Sequence, residues 1–317
     1  MTISRFLKGI WQYNKTFIKE CKRLKPEVIW CDNIRTFVTI YAASRLLRTR
    51  IIWNIWSEPE GKIAWILHRI GLVLADRINT EYSSQGKKIF GILTSLSVFK
   101  EKIVPLYTGV SEFERISGTD IRKELSLPPH STLITMASNI VSEKGQMDLI
   151  RSVEVIIQER QDIHLLIAGT AVDSSPASIK YYQKIHDYVS QNNLSSSIHF
   201  IGWRSDIRDV LENSDIYVST SYTESFPDAV REAMLASLPV VVTDVGGTFE
   251  LVDIGQNGYL FTPGDLETLT DYIRVLIDNA PLRKTMGLKS KRIIDTKFST
   301  EHYAREFEKM VRQLFVK

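Results

Sequence analysis

Two cysteines in 317 residues, Cys21 and Cys31, are too few for a disulfide framework, and a reducing, cytosolic setting is the default expectation. No run approaches eighteen uninterrupted apolar residues, so nothing in the chain reads as a membrane-spanning helix. The opening segment MTISRFLKGIWQYNK carries Arg5 and Lys8, which interrupt any apolar core of a secretory leader. There is no Asp-x-Asp pair to hold a metal–diphosphate complex, no Walker loop and no Gly-x-Gly-x-x-Gly after a strand. The six histidines, at 68, 130, 164, 186, 199 and 302, show no metal-ligand spacing. His164 and His199 fall inside strand-like segments and read as packed or edge residues, and Tyr181-Tyr182 as helix packing.

What is present is ordinary globular material with an uneven distribution of charge. The formal net charge of +3 conceals a first third (1–107) with 18 basic and 8 acidic residues, about +10. The remainder carries 22 basic and 29 acidic residues, about −7. The two parts are expected to face different partners. An anionic membrane surface, an acidic or phosphorylated substrate and nucleic acid all suit the basic part. Nucleic-acid binding rests on that basic third alone and is not expected. Residues 4–24 place Phe6, Leu7, Ile10, Trp11, Phe17, Ile18, Cys21 and Leu24 at helical spacing, with Lys8, Lys15, Lys19, Lys22 and Arg23 between them. Such a helix either packs on a core with a solvated basic face or lies on a membrane surface.

Short apolar runs alternate with helical stretches. EVIWC (27–31), RIIWNIW (50–56), RINTE (77–81) and KIVPL (102–106) read as strands, with helices near 34–48, 61–75 and 84–96. A second series is TLITMA (132–137), IHLLIAG (163–169), SIHFIG (197–202), DIYVST (215–220) and PVVVTD (239–244). Continuous apolar runs, rather than apolar/polar alternation, belong to parallel sheets covered on both faces. The fold class is therefore α/β, doubly wound, in two units. The boundary falls in the loop-like stretch Thr108–Arg122, and the helices before the last one, about Thr300–Val316, call for no further strand.

Four segments follow strand ends, where open parallel sheets bind ligands. After DIYVST, the stretch SYTESFPDAVREAM sets Glu224 before a helix entered through Pro227, Asp228 and Ala229, with Glu232 just over one turn inside. Helix N–H groups there suit a diphosphate, and a carboxylate can accept from a vicinal diol. Glu224 and Asp228 serving only the helix dipole is the plainer alternative. Lys144-Gly145 in SEKGQMDLI is placed to neutralise phosphate, or is a solvated loop lysine. Gly246-Gly247 after PVVVTD allows close backbone approach, or forms a simple turn. Gly202-Trp203-Arg204 after SIHFI offers a ring or backbone amides beside a base.

In order, SEKGQMDLI, LLIAGTA, HFIGW, SDIYVSTSYTESFPDAVREAMLASLPVVVTDVGGTFELV and NGYLFTPGD resemble the carboxyl-terminal half of a family 4 glycosyltransferase of the GT-B architecture. Glu224 and Glu232 match that family's E-x7-E motif. The resemblance implies GT-B folding: two Rossmann-like domains with parallel sheets, the N-terminal one incomplete. It divides the chain into 1–108 (acceptor side), 109–299 (nucleotide-sugar side) and a C-terminal helix, 300–317, that packs on either domain. It implies metal-independent, retaining transfer from a UDP- or GDP-sugar to a polysaccharide, oligosaccharide or glycolipid acceptor, with no cofactor. Glu232 would hold the ribose hydroxyls, and Glu224 with Ser225 and Phe226 would contact the donor sugar. Lys144 and the helix start at Pro227-Asp228 would offset diphosphate charge, and Gly246-Gly247 would line the site. Asn139, Gly202 and Trp203 complete the expected donor contacts.

Two departures stand out. Asn139 occupies the position of a usual arginine five residues before the lysine, so one phosphate cation is lost and slower transfer is expected. Trp56 follows RIIWNIW's strand where the family often has histidine. In addition, RLKPEVIWCDNIRTFVTIYAASRLL, ADRINTEYSSQGKKI and IVPLYTGVSEFE match segments that normally follow several earlier strands. A first domain so shortened is expected to leave a sheet edge in need of cover. Two readings follow: an enzyme peripheral on the inner face of the membrane through its basic N-terminal region, or a non-catalytic or two-component nucleotide-sugar-binding subunit (or a truncated relic) needing a partner protein for the acceptor half. Epimerases of the same architecture suit the E-x7-E context less well.

Overall fold

The computed structural model describes residues 3–111 and 118–316, with side chains from residue 11 onward. The side chains of Phe6, Leu7, Lys8 and Ile10, and positions 112–117 of the expected linker, lie outside the described residues. The chain divides into two units, Met1–Thr108 with Glu301–Lys317, and Gly109–Thr300.

The first unit runs α1 (Ile3–Leu24), β1 (Val28–Cys31), α2 (Ile34–Leu46), β2 (Arg50–Ile55), α3 (Gly61–Leu74), β3 (Arg77–Thr80), α4 (Gln85–Phe90), α5 (Ser97–Lys100) and β4 (Ile103–Pro105). The four strands form one parallel sheet in the order β1-β2-β3-β4. Because every crossover steps the same way, right-handed connections put α2, α3 and α4 on one face. Phe37 and Ile40, Leu72, and Ile89 and Phe90 from these helices pack with Ile51, Trp53 and Ile55 of β2. Ile52 points to the opposite face, where it meets Leu106, Met310 and Leu314. The last two residues belong to α13 (Thr300–Gln313) and its exit, and Trp30 of β1 packs its ring 5.5 Å from Phe307. Burial on both faces is why β2 is apolar at Ile51, Ile52, Trp53 and Ile55; its one buried polar residue, Asn54, accepts from the Asn79 side-chain amide. The expected helix at 84–96 is broken after Phe90, where Gly91 turns the backbone to φ 60° and a short 3₁₀ turn follows.

The second unit contains α6 (Ile121–Glu124), β5 (Thr132–Ala137), α7 (Gln146–Glu159), β6 (Ile163–Ala168), α8 (Pro176–Gln191), β7 (Ile198–Gly202), α9 (Ile207–Glu212), β8 (Ile216–Ser219), α10 (Asp228–Leu235), β9 (Val240–Thr243), β10 (Gly258–Phe261), α11 (Leu266–Asp278) and α12 (Ala280–Ile293). Its sheet is parallel throughout, ordered β7-β6-β5-β8-β9-β10. Strand order therefore runs one way from β5 and the other way from β8, the reversal that opens a crevice at the carboxyl ends of those strands. β10 corrects the expectation that no further strand precedes the last helices. It is four residues long and bounded by Asn257-Gly258 and Pro263-Gly264, so turn punctuation masks it. Ile134, Leu165, Ile167, Val218 and Val241 form the sheet's share of the core with Leu149 and Val153 of α7 and Ile273 of α11.

Among the described residues no helix is long and apolar enough to cross a membrane. Both cysteines are free and buried; burial, with the Asp32 charge, pushes the Cys31 thiol up to about 12 and leaves it unreactive.

Candidate functional site

The loops after β5, β8 and β9 are stitched together at the strand-order reversal. After β5 the chain makes a 3₁₀ turn, Ser142–Lys144, and enters α7 through Gly145 in the left-handed region (φ 69°). A Cβ on Gly145 would lie 2.2 Å from the Thr220 carbonyl oxygen, so only glycine permits this approach. Thr220, just beyond β8, donates its hydroxyl to the carbonyls of Gly145 (2.8 Å) and Lys144 (3.0 Å). The Tyr222 amide donates to the Glu143 carbonyl at 2.8 Å. Fully buried Gln146 donates its amide to Ser138 Oγ (3.0 Å) and to the Asn139 carbonyl (2.9 Å), which fixes the first half of the loop.

This suture brings Lys144 to Glu224, 80 positions away. Lys144 Nζ lies 2.5 Å from Glu224 Oε1, and the Ser221 hydroxyl donates to the same oxygen at 2.7 Å. The side chains are 26% and 13% exposed, so the pair is partly desolvated yet open to a ligand. Gly246 (φ 58°) closes the third side: a Cβ there would lie 2.1 Å from the Glu224 carbonyl oxygen. The Gly247 amide donates to the Ser225 carbonyl at 2.7 Å, and the Thr243 hydroxyl to the Ser221 carbonyl at 2.7 Å.

Pro227 is the residue before α10 rather than its first residue; with ψ 120° it is still extended, and the helix begins at Asp228. No side chain caps the first turn. Arg231, buried in α10, pairs with Asp228, reaches the Phe226 carbonyl at 3.4 Å and stacks its guanidinium 4.7 Å over the Phe226 ring. Phe226 packs in turn against Phe298. The Ser225-Phe226 backbone is thus held from below.

Glu232 is half-buried beside α9, among Ile207, Leu211 and Leu235, and its carboxylate has no hydrogen-bond partner among the described residues. Burial, aided by the Asp228 charge, raises its pKa above the ordinary carboxylate range. Tyr217, buried in β8, donates to the Ala137 carbonyl at 3.3 Å, and its hydroxyl is pushed up by burial and by the charges of both Glu224 and Glu232.

Asn139 belongs to the same loop as Lys144, whereas Gly202 and Trp203 stand at the end of β7. Asn139 is exposed on the β5 loop. Gly202 and Trp203 end β7, two strands from β5; Gly202 accepts from the Gly169 amide at 2.7 Å and the Trp203 ring is exposed. The Arg204 guanidinium is held by Glu124 (2.7 Å) and Asp206 (2.8 Å). In the first unit the Trp56 indole donates to Asp32 at 3.2 Å, an oxygen that also takes the Trp30 indole at 2.6 Å. Gln146, Arg231, Ser221 and Thr220 were not singled out from the sequence; a lone glutamine after Lys-Gly and an arginine inside an apolar helix were the available signals. His164 and His199 contact each other, Nδ1 to Nε2 at 3.2 Å, and the Tyr181 hydroxyl accepts from the Met147 amide at 3.0 Å. Among the described residues no three His, Cys, Asp or Glu side chains gather to hold a metal.

The family model described as glycosyl transferases group 1 matches residues 118–293, more than half of the chain. The capsular polysaccharide biosynthesis glycosyltransferase CapM of Staphylococcus aureus is 25% identical over 254 residues, covering 78% of this chain and 64% of that protein. The N-acetyl-alpha-D-glucosaminyl L-malate synthase of Bacillus anthracis matches over 48% of its own length, so the chain spans less than two thirds of these relatives. The human alpha-1,3/1,6-mannosyltransferase ALG2 is 27% identical, over 92% of this chain and 74% of its own length. Among solved structures, Anabaena HepE in complex with UDP superposes with a TM-score of 0.82 at 19% identity, covering 94% of this chain and 81% of that one. The sucrose-phosphate synthase of Thermosynechococcus elongatus does so with a TM-score of 0.80 at 18% identity, over 99% and 80%. These structures share the GT-B fold, and the chain belongs to the group 1 glycosyl transferases.

Proposed function

We propose that this chain is a retaining, metal-independent glycosyltransferase of family 4 that moves a hexose or related sugar from a UDP- or GDP-sugar to a glycan or lipid-linked acceptor. The observation that carries the reading is the Lys144–Glu224 pair at the strand-order reversal, with the unpartnered carboxylate of Glu232 nearby. As the bond between the anomeric carbon and the diphosphate breaks, negative charge grows on the leaving group. Lys144 and the uncapped first turn of α10 are fixed sources of positive potential for it. Glu232, lacking a protein donor, is suited to accept from two ribose hydroxyls. Glu224 and the Ser225-Phe226 backbone, with Gly246-Gly247 against them, contact the donor sugar. Gly202 and Trp203 flank the base, and Asn139 stands where the family carries a second phosphate cation.

Support for a uridine donor comes from the neighbours solved with UDP and with UDP-glucose. Support for a polysaccharide or lipid-linked acceptor comes from relatives named for capsular polysaccharide biosynthesis and for transfer to a diphospho-undecaprenol. Such an acceptor places the enzyme on the cytoplasmic face of a membrane.

The test begins with calorimetric titration of UDP and GDP into the purified chain, where absence of binding to either removes the reading. Transfer from labelled UDP- and GDP-sugars to membrane lipid extract follows, with the product anomer read by NMR. An inverted anomer would overturn retention, and activity lost in chelator but restored by a divalent cation would overturn metal independence.

A further inference from the structure

A file of polar side chains crosses the carboxyl end of the first unit's sheet, on the face that α13 covers. Alternate residues of a strand share a face, so Asn54 lies with Ile52, which packs against α13, and Asn79 stands opposite Asn54 in β3. Trp30 stands opposite Ile52 in β1. Asp32 Oδ1 accepts from the Trp30 indole at 2.6 Å, the Trp56 indole at 3.2 Å and the Asn54 amide at 3.3 Å. Asn54 Oδ1 accepts in turn from the Asn79 amide at 2.5 Å. Asn54 and Asn79 are 2% and 3% exposed, and Asn79 Oδ1 has no hydrogen-bond partner among the described residues.

Packing alone does not call for this arrangement. Ile52 and Leu106, closed over by Met310 and Leu314, fill the same layer with aliphatic groups, and two buried asparagines add a desolvation cost that another aliphatic pair would avoid. What the file does is hold one oxygen of an exposed carboxylate with three neutral donors. The other oxygen, Oδ2, has no protein donor among the described residues, and no cation pairs with Asp32. The same bonds fix Trp56. Its side chain is 46% exposed, yet its N–H is tied to Asp32, so the ring meets solvent already ordered. An ordered aromatic ring beside a carboxylate acceptor, at the carboxyl end of a parallel sheet, matches a pyranose. The C–H face of the sugar packs on the indole while its hydroxyls donate to Oδ2.

The surrounding charge says which pyranose. The loops that run from strand ends into α2, α3 and α4, residues 32–33, 56–60 and 81–84, contain Asp32, Glu58, Glu60 and Glu81 and no lysine or arginine. This is the reverse of the first third as a whole, which is about +10. Lys88 of α4 offsets Glu58 at 2.5 Å, and no three of these acids gather to hold a metal among the described residues. A uronic carboxylate or a phosphate on the bound sugar would meet Asp32 as a like charge, whereas a hydroxyl or an ammonium would be accepted.

We propose that Asp32 and Trp56 form a saccharide subsite on the first unit, and that it takes a neutral or amino-bearing sugar of the acceptor and excludes a uronic or phosphorylated one. This deepens the reading above and rests on the acceptor being a glycan, but its readout is binding rather than transfer.

The experiment is saturation-transfer NMR on the full chain, with and without saturating UDP. The probes are the methyl glycosides of glucose, galactose, mannose, glucosamine, glucuronic acid and galacturonic acid, titrated to high millimolar concentration. At least one neutral or amino glycoside is expected to bind, about tenfold or more tightly than either uronide. Trp56→Ala, at an exposed position, should weaken that binding about tenfold. Asp32→Asn should bring the uronides within about threefold of the neutral glycosides. Both variants should keep the circular dichroism and the affinity for UDP and GDP unchanged. If Asp32→Asn fails to fold, the uronide contrast in the wild type and the Trp56→Ala titration still decide. A uronide that binds as tightly as the neutral glycosides, or neutral binding untouched in Trp56→Ala, overturns the assignment. A chain that binds nucleotide but none of the glycosides overturns the subsite and leaves the donor site standing. Glycoside binding that Trp56→Ala weakens, in a chain that binds no nucleotide, does the reverse.

Discussion

Replacing Glu224 by glutamine should tighten nucleoside diphosphate binding while destroying transfer, an unusual direction for a binding-site residue. In the structure Lys144 is already occupied: its ammonium sits 2.5 Å from the Glu224 carboxylate. At an effective dielectric near 20 the direct attraction at that distance is about 6–7 kcal/mol, most of it offset by the cost of drawing both ions out of water. An incoming diphosphate must share Lys144 with that carboxylate and endure its repulsion. Glutamine keeps the shape, and its carbonyl can still accept from Ser221 and Lys144, but it removes the competing charge. A net gain of about 1 kcal/mol, roughly fivefold in Kd, is the expected scale. Transfer should fall by about 10²–10³, the usual cost of losing one fixed electrostatic contact to the reacting sugar. Calorimetry of UDP and GDP on wild type, Glu224→Gln and Lys144→Ala measures the first effect, and labelled-sugar transfer the second. Weaker binding in Glu224→Gln would refute the competition argument, because it would mean the carboxylate helps to hold the diphosphate rather than contending with it.

Three further outcomes follow from the same geometry. Because burial raises the Glu232 pKa, the folded state binds more protons than the unfolded chain between the ordinary carboxylate range and the raised value, so this residue's contribution to stability falls as pH rises through that window. Glu232→Gln should therefore raise Tm by about 2 °C at neutral pH, lose that advantage in acid, and weaken nucleotide binding at least tenfold; a variant less stable at neutral pH would contradict the argument. His164, His186 and His199 are all held below their ordinary pKa by burial, so the second unit should lose stability progressively as pH drops below about 6.5, and His199→Asn should flatten that acid limb in urea titrations. Gln146→Ala removes two hydrogen bonds inside the β5 loop and should cost about 1–3 kcal/mol by chemical denaturation, with Lys144-dependent nucleotide binding impaired as well.

Much of this architecture is legible in the residue order. Apart from β10, the strands fall where the short apolar runs lie; β2, β5, β6, β8 and β9 are buried on both faces, which leaves that mark on each of them separately. β10 escapes because it is only four residues long and hemmed in by turn residues, Asn257-Gly258 before and Pro263-Gly264 after, although Tyr259 and Phe261 are good strand formers. The residue types of the site were visible too, as acids and a lysine beside strand ends. Their meeting was not: Lys144 and Glu224 become neighbours only because β8 pairs with β5 instead of with β7, and hydrophobic pattern carries no information about which parallel strand lies next to which. The buried polar supports, Gln146 and Arg231, were hidden for a related reason. Helical spacing sets Gln146 in register with Leu149, Ile150 and Val153, and Arg231 with Met234 and Leu235, but residue type alone points to solvent, and only tertiary packing shows both inside.

The return of α13 to the first unit has a consequence for how the protein is made. Residues 109–300 leave the ribosome with everything their own core requires. The first unit, although synthesised earlier, cannot cover Ile52 and Leu106 until Met310 and Leu314 have emerged. During translation the earlier segment must wait with one sheet face bare while the later one closes, reversing the usual order in which domains mature from the N-terminus. A nascent chain stalled before residue 300 should therefore present that bare face to chaperones, while already displaying the loops that bring Lys144 to Glu224.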